Sequence, residues 1–348
     1  MMATRTAFQI GSKKVAPGSR ATIDLPVSVL SDHTPVSMSV HVVHGRKPGP
    51  VMFVSAAVHG DEVIGVEIVR RLLRADNLDT LKGTLLAVPI VNAFGFMNHS
   101  RYLPDRRDLN RSFPGSAKGS LAGRLAHIFL NEVVHKSDVG IDLHSAAIHR
   151  TNLPQIRVSP GSGSALKLAR EFGAPLVLTS KIREGSLRSA AAAKGIDVLL
   201  YEAGEGLRFD EFAVRTGVSG ILRVMRHMDM ISAKGVTKLK RAPINSTSST
   251  WLRAPAGGLL RSFKTTGEEV KEGDLLGVIA DPFGETETEI VSDYDGLIVG
   301  RTMLPIVNEG DGLFHVAALS RNVDPEATIE SLAAQLDADP LFDEDEII

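Results

Sequence analysis

Val51-Met-Phe-Val-Ser-Ala-Ala-Val-His59-Gly-Asp-Glu62-Val-Ile-Gly-Val66 begins as an apolar, β-branched run and ends in helical spacing. Val51 to Val58 reads as a buried strand, and Val63, Val66, Val69 and Leu73 then recur as on one face of a helix. His59 and Glu62 therefore stand on a strand-to-helix turn, three residues apart. At that spacing an imidazole nitrogen and a carboxylate oxygen can converge on one cation. Zinc with mixed nitrogen and oxygen ligands and one open position is the commonest catalytic outcome. A lone pair of this kind arises by chance, so the reading requires a third ligand.

The candidate is His144, at the end of Val139-Gly-Ile-Asp-Leu-His-Ser145. This is a second short apolar strand, and open α/β sheets bind ligands at strand ends. Asp142 falls on the same face of that strand and can orient a ligand from behind. The alternative is that both histidines merely cap strands with hydrogen-bonded rings. It weakens because both close apolar strands and one carries a Glu three residues on.

Outward from these strands, residues 50–232 alternate strand and helix. Strands are expected at 50–58, 84–91, 138–144, 175–179 and 196–202, and helices at 62–75, 118–136, 162–173, 186–195 and 210–232. Residues 5–48 read as short strands punctuated by Pro17-Gly18 and Pro48-Gly49. The expected fold is α/β, a mixed sheet flanked by helices. After the polar stretch Asn245-Ser-Thr-Ser-Ser-Thr250, Gly-broken short strands run to about residue 320, which reads as a smaller all-β domain. The expected division is 1–240, an α/β domain including the strands of 5–48; 245–322, all-β; and 323–348, an acidic tail frayed beyond Asp337. The run Val270-Lys-Glu-Gly-Asp-Leu-Leu276 before a hairpin resembles the biotinyl/lipoyl-like barrel-sandwich. Leu275 to Gly296 contains no Lys, which argues against a carrier function.

Composition narrows the function class. The chain has 348 residues, 43% of them hydrophobic and 23% charged, as expected of a globular protein with a sizeable core. A net charge of −2 without a long basic run argues against a nucleic-acid surface. No apolar stretch approaches the length of a membrane span. Met1 to Lys14 lacks the apolar core of a secretory signal, and a cytoplasmic protein is the simplest reading. With no cysteine, any metal site must use His, Asp or Glu.

Two more segments carry chemistry. Arg101-Tyr-Leu-Pro-Asp-Arg-Arg-Asp-Leu-Asn-Arg-Ser-Phe-Pro114 is rich in Arg, which binds carboxylates bidentately. Asn110 and Arg111 could form a clamp, and Arg101 could face a carbonyl oxygen or developing oxyanion. Arg106 and Arg107, flanked by Asp105 and Asp108, read better as a solvated loop. Val198-Leu-Leu-Tyr-Glu-Ala-Gly-Glu-Gly206 is another apolar strand ending in a carboxylate, Glu202. Beside a metal-bound water, Glu202 could take a proton and pass it to a leaving amine. Glu205 is its competitor, but Glu202 sits nearer the strand end, as His59 and His144 do.

In this order, HxxE (His59, Glu62), RY…DLNRxF (Arg101 to Phe113), DLHS (Asp142 to Ser145) and YEAG (Tyr201 to Gly204) resemble the succinylglutamate desuccinylase/aspartoacylase family, relatives of zinc carboxypeptidases. The resemblance spans about residues 50–230. It implies that His59, Glu62 and His144 hold one zinc ion and that Glu202 is general base and then acid. It also implies that Arg101 polarises the scissile carbonyl and that Asn110 and Arg111 grip a substrate carboxylate. Family members can use a tyrosine from the β domain, for which Tyr294 is the candidate here. The segment Arg101 to Asn110 is longer than in aspartoacylases, through Pro104 to Arg107. The implied activity is zinc-dependent removal of an acyl group from a small anionic N-acyl amino acid, in a homo-oligomer. A metallocarboxypeptidase and a non-catalytic metal-binding protein are the alternatives. Within the resemblance, aspartoacylase, succinylglutamate desuccinylase and acetyl-diamino-acid deacetylase activities stay open.

Overall fold

The computed structural model describes residues 5–319 and 323–342. Among them, ten strands lie side by side in one mixed sheet. Their order is Ser249–Arg253, Gly312–Ala318, Gly296–Thr302, Arg150–Val158, Asp197–Gly204, Val139–His144, Lys47–Ala56, Lys82–Val88, Pro35–His44 and Ser19–Val29. The four strands from Asp197–Gly204 to Lys82–Val88 are parallel to one another. The sheet branches at Arg150–Val158, where Leu176–Thr179 pairs in parallel and in turn pairs with Ile244–Ser246.

Side-chain alternation explains why helices cover both faces. Met52, Val54, Ile141 and Leu143 point into a core closed by helices Ile64–Leu72, Gly163–Phe172 and Glu211–His227. Phe53, Leu86 and Val88 point into a second core closed by helix Leu121–Glu132 and helix Leu187–Ala192. A parallel strand buried on both faces reads as an unbroken apolar run, as 51–58 does. The helix starts follow local chemistry. Ser120, Ser162, Ser186 and Asp210 each accept a hydrogen bond from the backbone N–H three residues on. No helix of the described residues is long and apolar enough to cross a membrane.

The mixed α/β sheet agrees with the sequence reading, and each expected strand and helix of residues 50–232 has an observed counterpart. Three features differ. Arg150–Val158 forms a nine-residue strand where none was expected, because Pro154 and the polar residues interrupt its pattern. The N-terminal region contains a long hairpin, Ser19–Val29 with Pro35–His44, rather than only short strands. In the stretch read as an acidic tail, Pro325–Asp337 is a helix capped by Asp324, and Leu332, Leu336 and Phe342 join the core of the α/β unit. The part of that stretch from 343 to 348 lies outside the described residues.

The C-terminal β region is built into the main sheet. Gly300–Thr302 pairs with Arg150–Asn152, and Trp251 pairs with His315 across neighbouring strands. A four-stranded sheet of Glu287–Val291, Leu275–Ala280, Gly258–Ser262 and Ile306–Val307 shares one core with these strands, through Leu260, Ile279 and Ile290 on one side and Leu252, Ile298 and Phe314 on the other.

Leu332→Ala tests whether the last helix supports the domain. Removing this buried side chain should cost about 2–5 kcal/mol in a denaturant titration. An unchanged midpoint would show that residues 325–337 contribute nothing to the core.

Candidate active site

Three parallel strands end at one edge of the sheet and deliver the chemistry there. Beyond Ala56 the chain turns through Ala57, whose φ of 49° is left-handed, and the backbone N–H groups of Val91 and Asn92 bind the carbonyls of Ala56 and Ala57. Gly60 lies against the short helix Ala93–Met97 so closely that a β-carbon would stand 1.9 Å from the Gly95 carbonyl carbon. The Glu62 N–H binds the His59 carbonyl, which closes the turn. His144 is the last residue of Val139–His144, and Glu202 pairs with it in register on the adjacent strand.

His59, Glu62 and His144 are buried, and one ligand atom from each lies within 4.8 Å of the others. Glu62 sits between the two rings, 2.7 Å from His59 Nδ1 and 2.6 Å from His144 Nδ1. Behind each ring stands another carboxylate. Asp142 Oδ2 is 2.7 Å from His144 Nε2, and its other oxygen accepts from Ser55 Oγ at 2.7 Å. Asp108 Oδ1 is 3.1 Å from His59 Nε2 and also accepts from the Asn110 N–H at 2.8 Å. Burial alone would lower both imidazoles. The Asp142 and Glu62 carboxylates outweigh it and hold His144 well above the ordinary histidine range, and Glu62 and Asp108 raise His59. Burial resists ionisation of Glu62, but the two imidazoles pull it well below the carboxylate range.

This donor set fits a divalent cation with nitrogen and oxygen ligands. Two imidazole nitrogens face one carboxylate, no thiolate is involved, and each remaining ring nitrogen is oriented by an acceptor behind it.

A cleft of about 470 Å³ opens over these residues and is also lined by Arg101, Asn110, Arg111 and Glu202. The Arg101 guanidinium bonds Glu62 Oε1 at 3.1 Å and Asp108 Oδ2 at 3.0 Å. Asn110 Oδ1 accepts from the Leu187 N–H at 2.9 Å, which leaves its amide N–H groups for another partner. Arg111 Nη1 donates to the Asn110 carbonyl at 2.6 Å. Arg106 and Arg107 are exposed outside this lining, and Glu205 accepts from the His149 N–H in a loop.

Tyr294 is not brought to the cleft, a correction to the sequence expectation. It packs against the core of the C-terminal β region, and its hydroxyl donates to the Val316 carbonyl at 3.2 Å. Trp251 is what that region contributes to the lining instead. It stacks on His315 at 4.9 Å with the planes 6° apart, and the Arg150 guanidinium lies over its ring at 5.1 Å. Burial, with Arg157 nearby, lowers His315 to about 3, so the stack is neutral on that side.

Sequence reading missed a second group of cations. Arg150 and Arg157 come from the unexpected strand, Lys181 and Arg183 from the segment leading into helix Leu187–Ala192, and Arg188 from the first turn of that helix. Arg188 is lowered by burial and then by Arg157, and one of its terminal nitrogens is buried without a partner among the described residues. The density of Arg and Lys over 181–188 was the available signal.

Comparison with known proteins identifies the family. The model of the succinylglutamate desuccinylase/aspartoacylase catalytic domain matches residues 48–228. A curated relative, N-alpha-acetyl-L-2,4-diaminobutyric acid deacetylase from Halomonas elongata, is 25% identical over 286 residues, 78% of this chain and 83% of the relative. A succinylglutamate desuccinylase/aspartoacylase structure from Rhodobacter sphaeroides superposes with a TM-score of 0.78 at 25% identity, covering 86% of this chain and 96% of the other. The product-bound ectoine utilization protein EutE (DoeB) from Ruegeria pomeroyi shares the fold, with a TM-score of 0.77 at 24% identity over 86% and 94% of the two chains. With a family match over more than half its length, this chain belongs to the succinylglutamate desuccinylase/aspartoacylase family.

Proposed function

We propose that this protein is a zinc-dependent amidohydrolase that cleaves a small, anionic N-acyl amino acid into a carboxylic acid and a free amino acid. The observation that carries the reading is one cleft that gathers His59, Glu62 and His144 with Glu202 and the Asn110–Arg111 pair. Charge supports an anionic substrate. Arg101, Arg111, Arg150, Arg157, Lys181, Arg183 and Arg188 line the cleft against the carboxylates of Glu62, Asp142 and Glu202. Its volume of about 470 Å³ suits a small molecule better than a peptide. In this reading residues 1–240 carry the chemistry, and residues 245–322, a barrel-sandwich-like domain, wall the cleft through Trp251.

His59, Glu62 and His144 would hold one zinc ion per chain. When bound, zinc supplies Lewis acidity, bringing the pKa of a water toward neutrality. Asn110, through its amide N–H groups, and Arg111, through its guanidinium, hold the carboxylate of the amino acid. The Arg101 guanidinium donates to the scissile carbonyl oxygen as it gains negative charge. Glu202 accepts a proton from the attacking water and delivers it to the amide nitrogen as the carbon–nitrogen bond breaks. One water is consumed, and its hydroxyl ends in the carboxylic acid.

Three outcomes test the reading. Purified, zinc-loaded protein should release amine from one or more N-acetyl or N-succinyl amino acids, with short peptides as controls. Turnover of peptides alone would replace the deacylase by a carboxypeptidase. Glu202→Gln should lower kcat by about 10²–10⁴-fold while retaining zinc, and near-full turnover would remove Glu202 from its role. Both imidazoles are raised and must lose protons to ligate, so zinc affinity should strengthen as pH rises, by up to about two log units per pH unit while both are protonated. Chelator competition measures this, and an affinity independent of pH would overturn the ligand assignment.

A further inference from the structure

The Glu202 carboxylate is held from one neighbouring strand. Asn152 Nδ2 donates to Glu202 Oε2 at 3.1 Å, and Arg157 Nη1 stands 3.7 Å from Oε1. Both side chains come from Arg150–Val158, which is antiparallel to the Glu202 strand. The Asn152 amide orientation follows from chemistry. An ionised carboxylate only accepts, so the NH2 group faces Glu202 and Oδ1 points elsewhere.

Asn152 Oδ1 points into a space left by the C-terminal β region. Gly300 pairs with Asn152 across the strands, and the strand register shifts between Ile298 and Gly300. A β-carbon on Gly300 would lie 2.6 Å from Asn152 Oδ1, but 3.3 Å from the Thr151 carbonyl oxygen and 3.5 Å from His315 Cβ. Gly300 does not have a left-handed φ. Space, not backbone freedom, is therefore what a side chain there would violate, and the group it would displace is the one holding Glu202.

We propose that Asn152 and Gly300 are positioning residues for Glu202: the C-terminal β region, through the missing side chain at 300, seats the Asn152 amide that aims the carboxylate. This rests on Glu202 being the proton carrier. It gives the β region a part in the chemistry that is distinct from walling the cleft. Asn152 acts through Glu202, so its loss should disturb the transition state more than substrate binding.

The test is a double-mutant cycle on the zinc-loaded protein, using an acylated amino acid that the wild type turns over. Asn152→Ala should lower kcat about ten- to a hundredfold, the worth of a hydrogen bond to a charged group, with KM within about twofold. Asn152→Asp keeps the shape, loses the donor and sets a second carboxylate beside Glu202, and should lower kcat at least as much. In the Glu202→Gln background, Asn152→Ala should add less than about twofold, because the two act as one unit. Gly300→Ala should lower kcat by itself, yet cost nothing further once Asn152 is Ala, since the displaced group is gone. A raised KM with intact kcat in Asn152→Ala would make Asn152 a substrate contact and overturn the proposal. Independent, multiplying losses at Asn152 and Glu202 would also overturn it. A Gly300→Ala loss that persists beside Asn152→Ala would assign Gly300 to the fold alone. Near-full turnover of Glu202→Gln would instead bring down the base reading itself, an outcome separable from failure at Asn152.

Discussion

Glu62 is buried between two imidazoles, and much of the surrounding structure answers the electrostatic demand this creates. Removing a carboxylate and two titratable rings from water costs several kcal/mol per charge unless each finds a partner. Asp142 and Asp108 supply the partners behind the rings, and Ser55 and Arg101 in turn bind those carboxylates. The cluster is tolerable because no member is left with an unanswered charge. The same arrangement leaves two ring nitrogens and one carboxylate facing each other, ready for a cation to replace protons.

The sheet makes this cluster possible. Parallel strands in register end together, so His144 and Glu202 arrive side by side although far apart in the chain. The neighbouring antiparallel strand adds Asn152 and Arg157 at the same edge. From there the ladder continues through Gly300 and His315 to Trp251. The carboxylates of Glu62, Asp142 and Glu202 thus line one cleft together with Arg101, Arg111, Arg150, Arg157, Lys181, Arg183 and Arg188.

Some of this was legible in the residues. The apolar run 51–58, followed by helical spacing, placed His59 and Glu62 on a turn, and observed strand Lys47–Ala56 and helix Ile64–Leu72 flank that turn. Asp142 was placed behind His144 by strand alternation alone, and the hydrogen bond is there. Arg150, Asn152 and Arg157 were missed because their strand carries Pro154 and lacks clean alternation. Tyr294 was chosen without a local pattern and, partly buried, packs against the core of the β region instead. The acidic character of 323–348 concealed the apolar face, Leu332 and Leu336, that anchors its helix.

The sequence by itself determined the five strands and five helices expected over residues 50–232, the family and the likeness of His59, Glu62 and His144 to a ligand set, because period and spacing are local properties of a chain. Tertiary structure alone decided which cations share the cleft, that Trp251 rather than Tyr294 reaches it, and that Gly300 leaves room for Asn152 beside Glu202. Those facts depend on the register between strands distant in sequence. Register is set by packing and hydrogen bonding across the whole sheet, and a shift of one residue would turn each side chain to the opposite face.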